Sequence, residues 1–276
     1  MSRPTPTVAA YRALHQSGCF VLPNPWDVGS AMYLHRAGFR ALATTSAGMA
    51  FARGLPDDPN AIPVEVMLQH LREMAAATPL PVNADFQSGY GKDAAGVAAN
   101  VRAAVATGVA GLSIEDATGD AAQPLFARDE AIARLRAARA AIDESGTEVV
   151  LTARCEAYLV GDPEAERTVL DRLAAFAEAG ADCLYAPGVK DEAMIAKIVR
   201  AVAPKPVNVL VSSPGMTVAR LTELGVRRIS VGSALSRAAW GGFIRATRTI
   251  IEHGTFDGFA DAASFAELRD LFGGKQ

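Results

Sequence analysis

The chain has 276 residues, of which 50% are hydrophobic and 21% charged, and its formal net charge at pH 7 is −3. These proportions are typical of a globular protein, and the interspersed charges form no basic patch, so we expect no nucleic-acid partner. No apolar run approaches the ~18 residues of a membrane span, so we expect no membrane contact. Cys19, Cys155 and Cys183 form neither a CxxC pair nor a disulfide framework, which predicts a cytoplasmic protein.

Eight short apolar runs alternate with amphipathic helical patterns along the chain. Each run has the length of a buried strand, and most are rich in Val, Ile and Leu, as expected for parallel strands with both faces covered. The predicted strands are Cys19–Leu22, Arg40–Thr44, Leu80–Ala84, Val109–Ile114, Glu148–Ala153, Asp182–Ala186, Pro206–Val211 and Arg227–Val231. The helical patterns between them include Asp27–Ala37, Ala94–Thr107, Asp129–Ser145, Pro163–Ala179 and Asp191–Ala203.

Glycines mark the junctions between helical patterns and strands. Gly38, Gly108, Gly180 and Gly225 each follow a helical pattern and precede a strand. Glycine at this position takes the left-handed conformation that ends a helix. The eight alternating strand and helix patterns favour an α/β fold of the TIM type, a (β/α)8 barrel, over a doubly wound sheet.

No linker or change in composition divides the chain, so we predict one barrel domain spanning residues 1–276. Helical patterns at Ser233–Glu252 and Ala262–Phe272 follow the eighth strand and exceed what a barrel requires. We expect these C-terminal helices, about residues 233–273, to serve in oligomerisation.

Acidic residues end two neighbouring strands of the predicted barrel. Barrel enzymes carry their reacting groups at the C-terminal ends of strands, and Asp85 and Glu115 end the third and fourth apolar runs. Converging carboxylates repel each other and are stabilised by a cation, and Mg²⁺ prefers such oxygen ligands. We therefore predict a metal site here. The alternative is that both are solvated loop acids or helix N-caps.

An arginine and a small-residue turn are predicted to bind an anion at the same end of the barrel. Arg154 ends the fifth strand, where its guanidinium can grip a carboxylate with two hydrogen bonds. The alternative is an ion pair with Glu156 or Asp85 that holds the loops. Ser46 lies in ATTSAGMA, where small side chains let backbone N–H groups approach an anion; the alternative is a tight turn without a ligand.

Histidine is not predicted to act as a general base. The four histidines lie in helical patterns and none ends a strand; they are His15, His35, His70 and His253.

Four motifs together resemble the isocitrate lyase/phosphoenolpyruvate mutase superfamily. They are ATTSAG, VNADFQSGYG, GLSIEDA and LTARCEAY, and the resemblance runs from PNPWDVGSA to VGSALSRAAW, nearly the whole chain. The resemblance implies a barrel of the phosphoenolpyruvate-binding type that depends on Mg²⁺ (or Mn²⁺) and makes or breaks C–C or C–P bonds of 2-oxo acids. It also implies a homodimer or homotetramer with a last barrel helix swapped between partners.

The resemblance assigns roles to single residues. Asp57 in GLPDD matches an acid in the loop after the second strand that supports the metal site. The loop from Thr45 to Gly48 matches the one that holds the substrate carboxylate. The implied catalytic residues are Asp85, Glu115, Arg154 and Asp57, the implied substrate-binding residues are Thr45, Ser46, Ala47, Gly48, Asp85 and Arg154, and the implied metal-binding residues are Asp85, Glu115 and Asn83.

Two departures from the family pattern bear on the reaction. Asn83 stands where many members carry the first Asp of D-x-D, so one negative charge is gone, although its amide oxygen can still accept a bond from a metal-bound water. Lyases of the family carry a Lys-Lys/Arg-Cys-Gly loop after the Glu-Asp, with the Cys as acid/base. Here IEDATGDAAQPLF follows, with no Cys, Lys or Arg before Arg128. We therefore predict that isocitrate and methylisocitrate are not cleaved by that mechanism.

These observations predict a Mg²⁺-dependent enzyme that binds a small 2-oxo (di)carboxylic acid, such as oxaloacetate or 2-oxoglutarate. We expect it to break a C–C bond through a metal-stabilised enolate, as a lyase, decarboxylase or hydrolase. One alternative is a phosphoenolpyruvate mutase or phosphonopyruvate hydrolase, acting on a C–P bond. Another is a barrel that binds a dicarboxylate of the 2-oxoglutarate type without efficient turnover.

Overall fold

A computed structural model describes residues 5–59 and 61–273, and each predicted strand is present in it. The strands are β1 (Phe20–Leu22), β2 (Leu42–Ala43), β3 (Val82–Asp85), β4 (Gly111–Glu115), β5 (Val150–Arg154), β6 (Cys183–Tyr185), β7 (Val207–Leu210) and β8 (Arg228–Ser230). Strands β3, β4 and β5 end one residue later than their apolar runs. Asp85, Glu115 and Arg154 are therefore their last residues.

The strands form a nearly closed parallel barrel. Their order is β1-β8-β7-β6-β5-β4-β3-β2, so each strand from β2 to β8 pairs with its neighbour in the chain, and β1 pairs with β8. At the junction of β1 and β2, the Ala43 N–H donates to the Pro23 carbonyl at 3.0 Å. The Asn24 side-chain amide donates to the Thr44 carbonyl at 2.9 Å. The predicted (β/α)8 barrel is confirmed.

Helices surround the barrel and end where the glycines predict. They are α1 (Pro6–Leu14), α2 (Val28–Arg36), α3 (Ser46–Ala52), α4 (Val64–Ala76), α5 (Ala94–Val105), α6 (Arg128–Ser145), α7 (Ala165–Glu178), α8 (Glu192–Val202), α9 (Val218–Glu223), α10 (Ala234–His253) and α11 (Phe265–Gly273). Gly38 follows α2 with a φ of 87°, and Gly180 follows α7 with a φ of 103°. No helix within the described ranges is long and apolar enough to cross a membrane.

Helix α1 closes the N-terminal end of the barrel. Its Tyr11 is fully buried, and the hydroxyl accepts a hydrogen bond from Arg228 on β8 at 2.9 Å. Gly111 on β4 has no room for a side chain beside it, because a Cβ would lie 2.6 Å from Asn83 Oδ1 and 2.6 Å from Tyr11 Cε1. The floor of the barrel is therefore filled by the side chains of Tyr11, Asn83 and Arg228.

The C-terminal helices carry exposed apolar side chains. Phe243 on α10 is 59% exposed and Phe265 on α11 is 96% exposed. Helix α11 folds back onto α2, where Arg36 Nη1 donates to the Asp270 carbonyl. Three expectations stay predictions. They are that residues 233–273 serve in oligomerisation, that the last barrel helix is swapped between partners, and that residues 1–276 form one domain.

Candidate active site

A cavity of about 290 Å³ opens at the C-terminal ends of the strands, where the sequence predicts the site. The predicted site residues that line it are Thr45, Ser46, Ala47, Asp57, Asn83, Asp85 and Arg154. Two predicted residues are outside this lining. Glu115 lies behind Arg154, and Gly48 is packed within α3. The structure therefore brings most of the predicted residues together around one space.

Asp85 lies at the centre of the site, and both of its carboxylate oxygens are hydrogen-bonded. Oδ1 accepts from Arg154 Nη1 at 2.7 Å. Oδ2 accepts from the Ser46 N–H and from the Ser46 hydroxyl, each at 2.9 Å. The Asp85 N–H donates to the Thr44 hydroxyl at 2.9 Å. The end of β3 and the start of α3 are thus joined through this carboxylate.

Arg154 contacts three carboxylates. Its Nε donates to Glu156 Oε1 at 2.8 Å, its Nη1 donates to Asp85, and its Nη2 lies 3.1 Å from Glu115 Oε2. Glu115 and Arg154 are direct partners in the pairing of β4 with β5, which explains their contact. The ion pairs considered as the alternative role of Arg154 are therefore present. Two N–H groups of Arg154 thus donate hydrogen bonds, and its contact with Glu115 is an ion pair.

The cluster around Arg154 has more acids than bases. Burial raises the pKa of Glu115 to about 8, although Arg154 opposes the shift. Burial also raises the pKa of Glu156. For Arg154, burial alone would lower the pKa, but Glu115, Glu156 and Asp85 together hold it well above its ordinary value. Asp57 lies at the rim, where partial desolvation and repulsion from Asp85 raise its pKa.

The donor set fits a single divalent cation with few protein ligands. Within residues 5–59 and 61–273 there is no group of three or more His, Cys, Asp or Glu arranged to hold a metal ion. The site offers instead Asp85 and Glu115, which are already paired with Ser46 and Arg154. It also offers the Oδ1 of Asn83, which faces Gly111 and has no hydrogen-bond partner among the described residues. Mg²⁺ commonly takes one or two carboxylates and retains several waters. The metal-binding roles of these three residues stay predictions.

The segment predicted as an anion-binding turn is the first turn of α3. Thr45 is its N-cap, and the Thr45 hydroxyl accepts from the Gly48 N–H at 3.2 Å. Because the Ser46 N–H binds Asp85, only the Ala47 N–H lacks a partner among the described residues. Gly48 serves close packing, since a Cβ there would lie 2.9 Å from Trp26 Cβ. The Gly48 N–H is therefore already used by Thr45 and is not available for the substrate-binding role predicted for Gly48.

Two charged residues behind the site hold the loop after β5, and the sequence did not reveal their role. Asp116 is buried, and its Oδ1 accepts from the Glu156 N–H at 2.8 Å. Its Oδ2 accepts from Arg172 Nη1 at 3.0 Å. Arg172 thereby balances the charge of Asp116. Asp116 in turn holds the backbone of Glu156, whose side chain contacts Arg154. The Glu-Asp of GLSIEDA was the available signal, because the second acid follows the predicted strand end directly.

A buried arginine, Arg228, lies on the floor of the cavity, and its place there was not predicted from the sequence. Arg228 is 2% exposed and lines the cavity. Its four partners are all neutral; they are Asn208 Oδ1 at 2.9 Å, Tyr11 Oη at 2.9 Å, Thr152 Oγ1 at 3.0 Å and His15 Nε2 at 3.3 Å. Strand alternation was the available signal, since Arg228 is two residues before the inward-facing Ser230.

The loop after β3 holds polar groups without partners near the carboxylates. Gln87 and Tyr90 have φ values of 46° and 55°, which non-glycine residues rarely adopt. The Tyr90 hydroxyl and Gln87 Oε1 are buried and find no hydrogen-bond partner in the part of the chain that the structure describes. Burial, with Asp85 and Glu115 nearby, raises the pKa of Tyr90. Gly89 in the same loop also takes a left-handed conformation, with a φ of 86°.

The loop after β4 is a short hairpin without an acid/base cysteine. Ala117 forms a bridge with Leu125, and the Thr118 hydroxyl donates to the Gln123 carbonyl. Asp120 is the sole acid between residues 117 and 126, and it is exposed. The loop therefore places no thiol, lysine or arginine over the cavity.

Comparison with known proteins supports a relationship over most of the chain. Residues 11–251 match the phosphoenolpyruvate phosphomutase family. A Mycobacterium tuberculosis protein of uncharacterised function is 35% identical over 227 residues, which cover 81% of this chain and 82% of that protein. The crystal structure of a candidate lyase/mutase from Burkholderia cenocepacia J2315 is 45% identical, with a TM-score of 0.94, and the match covers 98% of this chain and 97% of that one.

Enzymes with named activities are more distant. The structure of oxaloacetate acetylhydrolase with its product oxalate is 27% identical, with a TM-score of 0.86, over 98% of this chain and 95% of that one. 2-Methylisocitrate lyase of Salmonella typhimurium is 29% identical over 70% of this chain and 66% of its own length. An oxaloacetate decarboxylase of Rhodopseudomonas palustris is 31% identical over 60% of this chain and 56% of its own length.

The barrel, the strand-end carboxylates and the matched residues agree with one another. The three relatives just described carry the names of a lyase, a hydrolase and a decarboxylase of small carboxylic acids. The family match covers well over half of the chain. The chain therefore belongs to the phosphoenolpyruvate phosphomutase family, within the isocitrate lyase/phosphoenolpyruvate mutase superfamily.

Proposed function

We propose that this protein is a Mg²⁺-dependent enzyme that binds a small 2-oxo acid, such as oxaloacetate or 2-oxoglutarate, and breaks one of its C–C bonds. Decarboxylation or hydrolytic cleavage of oxaloacetate is the reaction we favour. The main observation in support of this proposal is a cluster at the cavity. In it, Asp85, Glu115 and Glu156 surround the guanidinium of Arg154.

The charge of this cluster supports a divalent cation. Three carboxylates lie against one guanidinium, and burial raises the pKa of Glu115 to about 8, so a proton balances part of the negative charge when no cation is bound. A divalent cation would take the place of that proton. Asp85 and Glu115 would hold the ion, with Asn83 accepting from one of its waters. When bound, Mg²⁺ supplies Lewis-acid stabilisation of the negative charge that develops on the keto oxygen.

The chain's own groups would bind and orient the substrate. The N–H donors of Arg154 that these carboxylates do not use, and the Ala47 N–H, which has no partner among the described residues, would bind a carboxylate of the substrate. Tyr185 lies against Arg154, with the guanidinium carbon 5.2 Å from the ring centroid, which restricts the motion of the guanidinium. A substrate held this way loses the freedom that would otherwise oppose reaction.

The loop after β4 favours reactions that need no protein acid at that position. Cleavage of isocitrate or methylisocitrate requires a proton for the departing succinate-like carbanion. The hairpin offers only the exposed Asp120, a poor donor at neutral pH. Cys155 is buried, and burial, together with the charge of Asp116, raises the pKa of its thiol above its ordinary value. After loss of CO₂ from oxaloacetate, by contrast, the enolate can take its proton from water.

The test is a set of assays run with Mg²⁺ on the same preparation. Oxaloacetate consumption is measured beside glyoxylate release from isocitrate, pyruvate release from methylisocitrate, and phosphate release from phosphonopyruvate. We expect turnover of oxaloacetate, at ~1 s⁻¹ or above as is common for enzymes, and no useful lyase rate. Arg154→Ala should weaken binding of the 2-oxo acid by ~2–5 kcal/mol, because one partner of a desolvated pair is lost.

Arg102→Ala is the matched control, since Arg102 forms an exposed ion pair with Glu144 on the outer helices. Unfolding of each variant is measured first, so that a loss of binding is not confused with a loss of structure. If oxaloacetate is not consumed, robust glyoxylate release would identify the protein as an isocitrate-type lyase instead. Robust phosphate release would identify it as an enzyme that acts on a C–P bond. Binding of 2-oxoglutarate without any turnover would leave a binding protein.

A further inference from the structure

Three arginines line the cavity, and two of them already have their partners. Arg154 is surrounded by carboxylates, as described above. Arg228 is held on the floor by four neutral groups and is 2% exposed. The third, Arg237, completes the cationic lining of the cavity among the described residues.

Arg237 differs from the other two in having a free guanidinium. It lies in the first turn of α10 and is exposed. Within the part of the chain that the structure describes, its side chain forms neither a hydrogen bond nor an ion pair, and its backbone N–H donates to the Ser233 carbonyl at 2.8 Å. A guanidinium has five donors, so this side chain can bind a carboxylate with two parallel bonds.

The surroundings of Arg237 suit the far end of an anionic ligand. Ser212 after β7 and Ser233 after β8 line the cavity with it and offer hydroxyl groups. Asp57 and Asp85 line the same space on the side of β2 and β3. A ligand with one carboxylate on Arg154 therefore meets a second, unengaged cation at the rim.

We propose that Arg237 binds the second carboxylate of the substrate, so that the site selects 2-oxo dicarboxylates over 2-oxo monocarboxylates. This inference rests on the proposed function, because it assumes that a 2-oxo acid occupies the cavity. It adds a specificity-determining residue and narrows the substrate class.

The test compares pairs of acids that differ only in the second carboxylate. With Mg²⁺ present, 2-oxoglutarate and 2-oxobutyrate are titrated by calorimetry, and oxaloacetate and pyruvate are compared by protection against thermal unfolding. We expect the wild type to bind at least one dicarboxylate roughly 10- to 100-fold more tightly than its monocarboxylate partner, as a hydrogen-bonded charge allows. In Arg237→Ala that preference should fall to within about 2-fold, with monocarboxylate affinity unchanged. Arg237→Lys should restore part of it.

Arg245→Ala is the control, because Arg245 lies two turns further along the same helix and outside the cavity lining. It should keep the wild-type preference. Equal binding of both acids by the wild type, or an unchanged preference in Arg237→Ala, overturns this inference and leaves the proposed function intact. A change in sedimentation of Arg237→Ala without a change in preference also overturns it, and makes Arg237 an assembly residue. Failure of the wild type to bind any of the four acids removes the proposed function, and this inference with it.

Discussion

His15 shows how a single residue responds to the buried charge on the barrel floor. Its Nδ1 lies 2.8 Å from the Tyr11 carbonyl, and its Nε2 lies 3.3 Å from Arg228 Nη1. Burial, followed by the charge of Arg228, lowers the pKa of His15 to about 3. The ring is therefore neutral in the folded protein at neutral pH, and it can accept a hydrogen bond from the guanidinium.

This residue should make the protein sensitive to acid. Because the folded pKa is below the unfolded value of about 6.5, His15 contributes stability that is present above about pH 6.5 and is lost as the pH falls toward 3. We expect the free energy of unfolding of the wild type to fall relative to that of His15→Gln by roughly 1 kcal/mol per pH unit below pH 6. Urea unfolding at several pH values between 7 and 4 measures the difference.

His253→Gln is the control for this experiment, since His253 is exposed at the end of α10. It should follow the wild type at each pH. His70 is also buried, and burial lowers its pKa to about 4, but it is the same in all three proteins and cancels in the comparison. Parallel pH profiles for wild type and His15→Gln would contradict the assignment.

At the scale of elements, β1 and β2 are joined by one backbone hydrogen bond and one side chain rather than by a full strand pairing. Asn24 follows β1 and is buried. Its Oδ1 accepts from the N–H groups of Val231 and Gly232 at 2.9 Å each, beyond the end of β8. Its amide donates to Thr44 beyond β2. The Gly232 N–H is thus already bonded within the fold.

Removal of this side chain should weaken the closure. Asn24→Ala leaves two N–H groups and one carbonyl without partners, and we expect a loss of about 2–4 kcal/mol in the free energy of unfolding. The measurement is urea unfolding followed by circular dichroism. Asn100→Ala is the matched control, because Asn100 makes a single bond to the Gly89 carbonyl, and it should cost about 1 kcal/mol or less. Equal losses in the two variants would contradict this role of Asn24.

At the scale of the whole molecule, the apolar C-terminal helices remain to be explained. Trp240 and Phe243 pack edge to face on α10, with ring centroids 5.6 Å apart, and both are exposed. Ile251 on the same helix is 83% exposed. A large exposed apolar surface on a globular chain marks an interaction site, which agrees with the predicted assembly.

We therefore expect the protein to sediment as a homodimer or homotetramer. Replacing Trp240 and Phe243 together by Gln should shift it toward smaller species at micromolar concentration, because the apolar area that drives association is lost. Analytical ultracentrifugation measures the distribution. Tyr33→Gln is the control, since Tyr33 is a 56% exposed aromatic residue on α2. A monomeric wild type would contradict the prediction.

The sequence by itself determined the architecture and the order of the site residues. Apolar runs and helix-ending glycines are local patterns, because strands and helices are formed by residues close together in the chain. Since strand ends meet at one face of a barrel, the positions of Asp85, Glu115 and Arg154 at strand ends predicted a common site. The family motifs narrowed its chemistry to small acids.

Only the tertiary structure decided which partners these side chains have. Arg154 binds Asp85 across 69 positions of the chain, and Arg228 binds Tyr11 across 217. Such contacts depend on how elements pack and on which side chains alternation turns inward, and no local pattern specifies them. For the same physical reason the use of the Ser46 N–H by Asp85, the neutral surroundings of Arg228 and the free guanidinium of Arg237 became visible only in the fold.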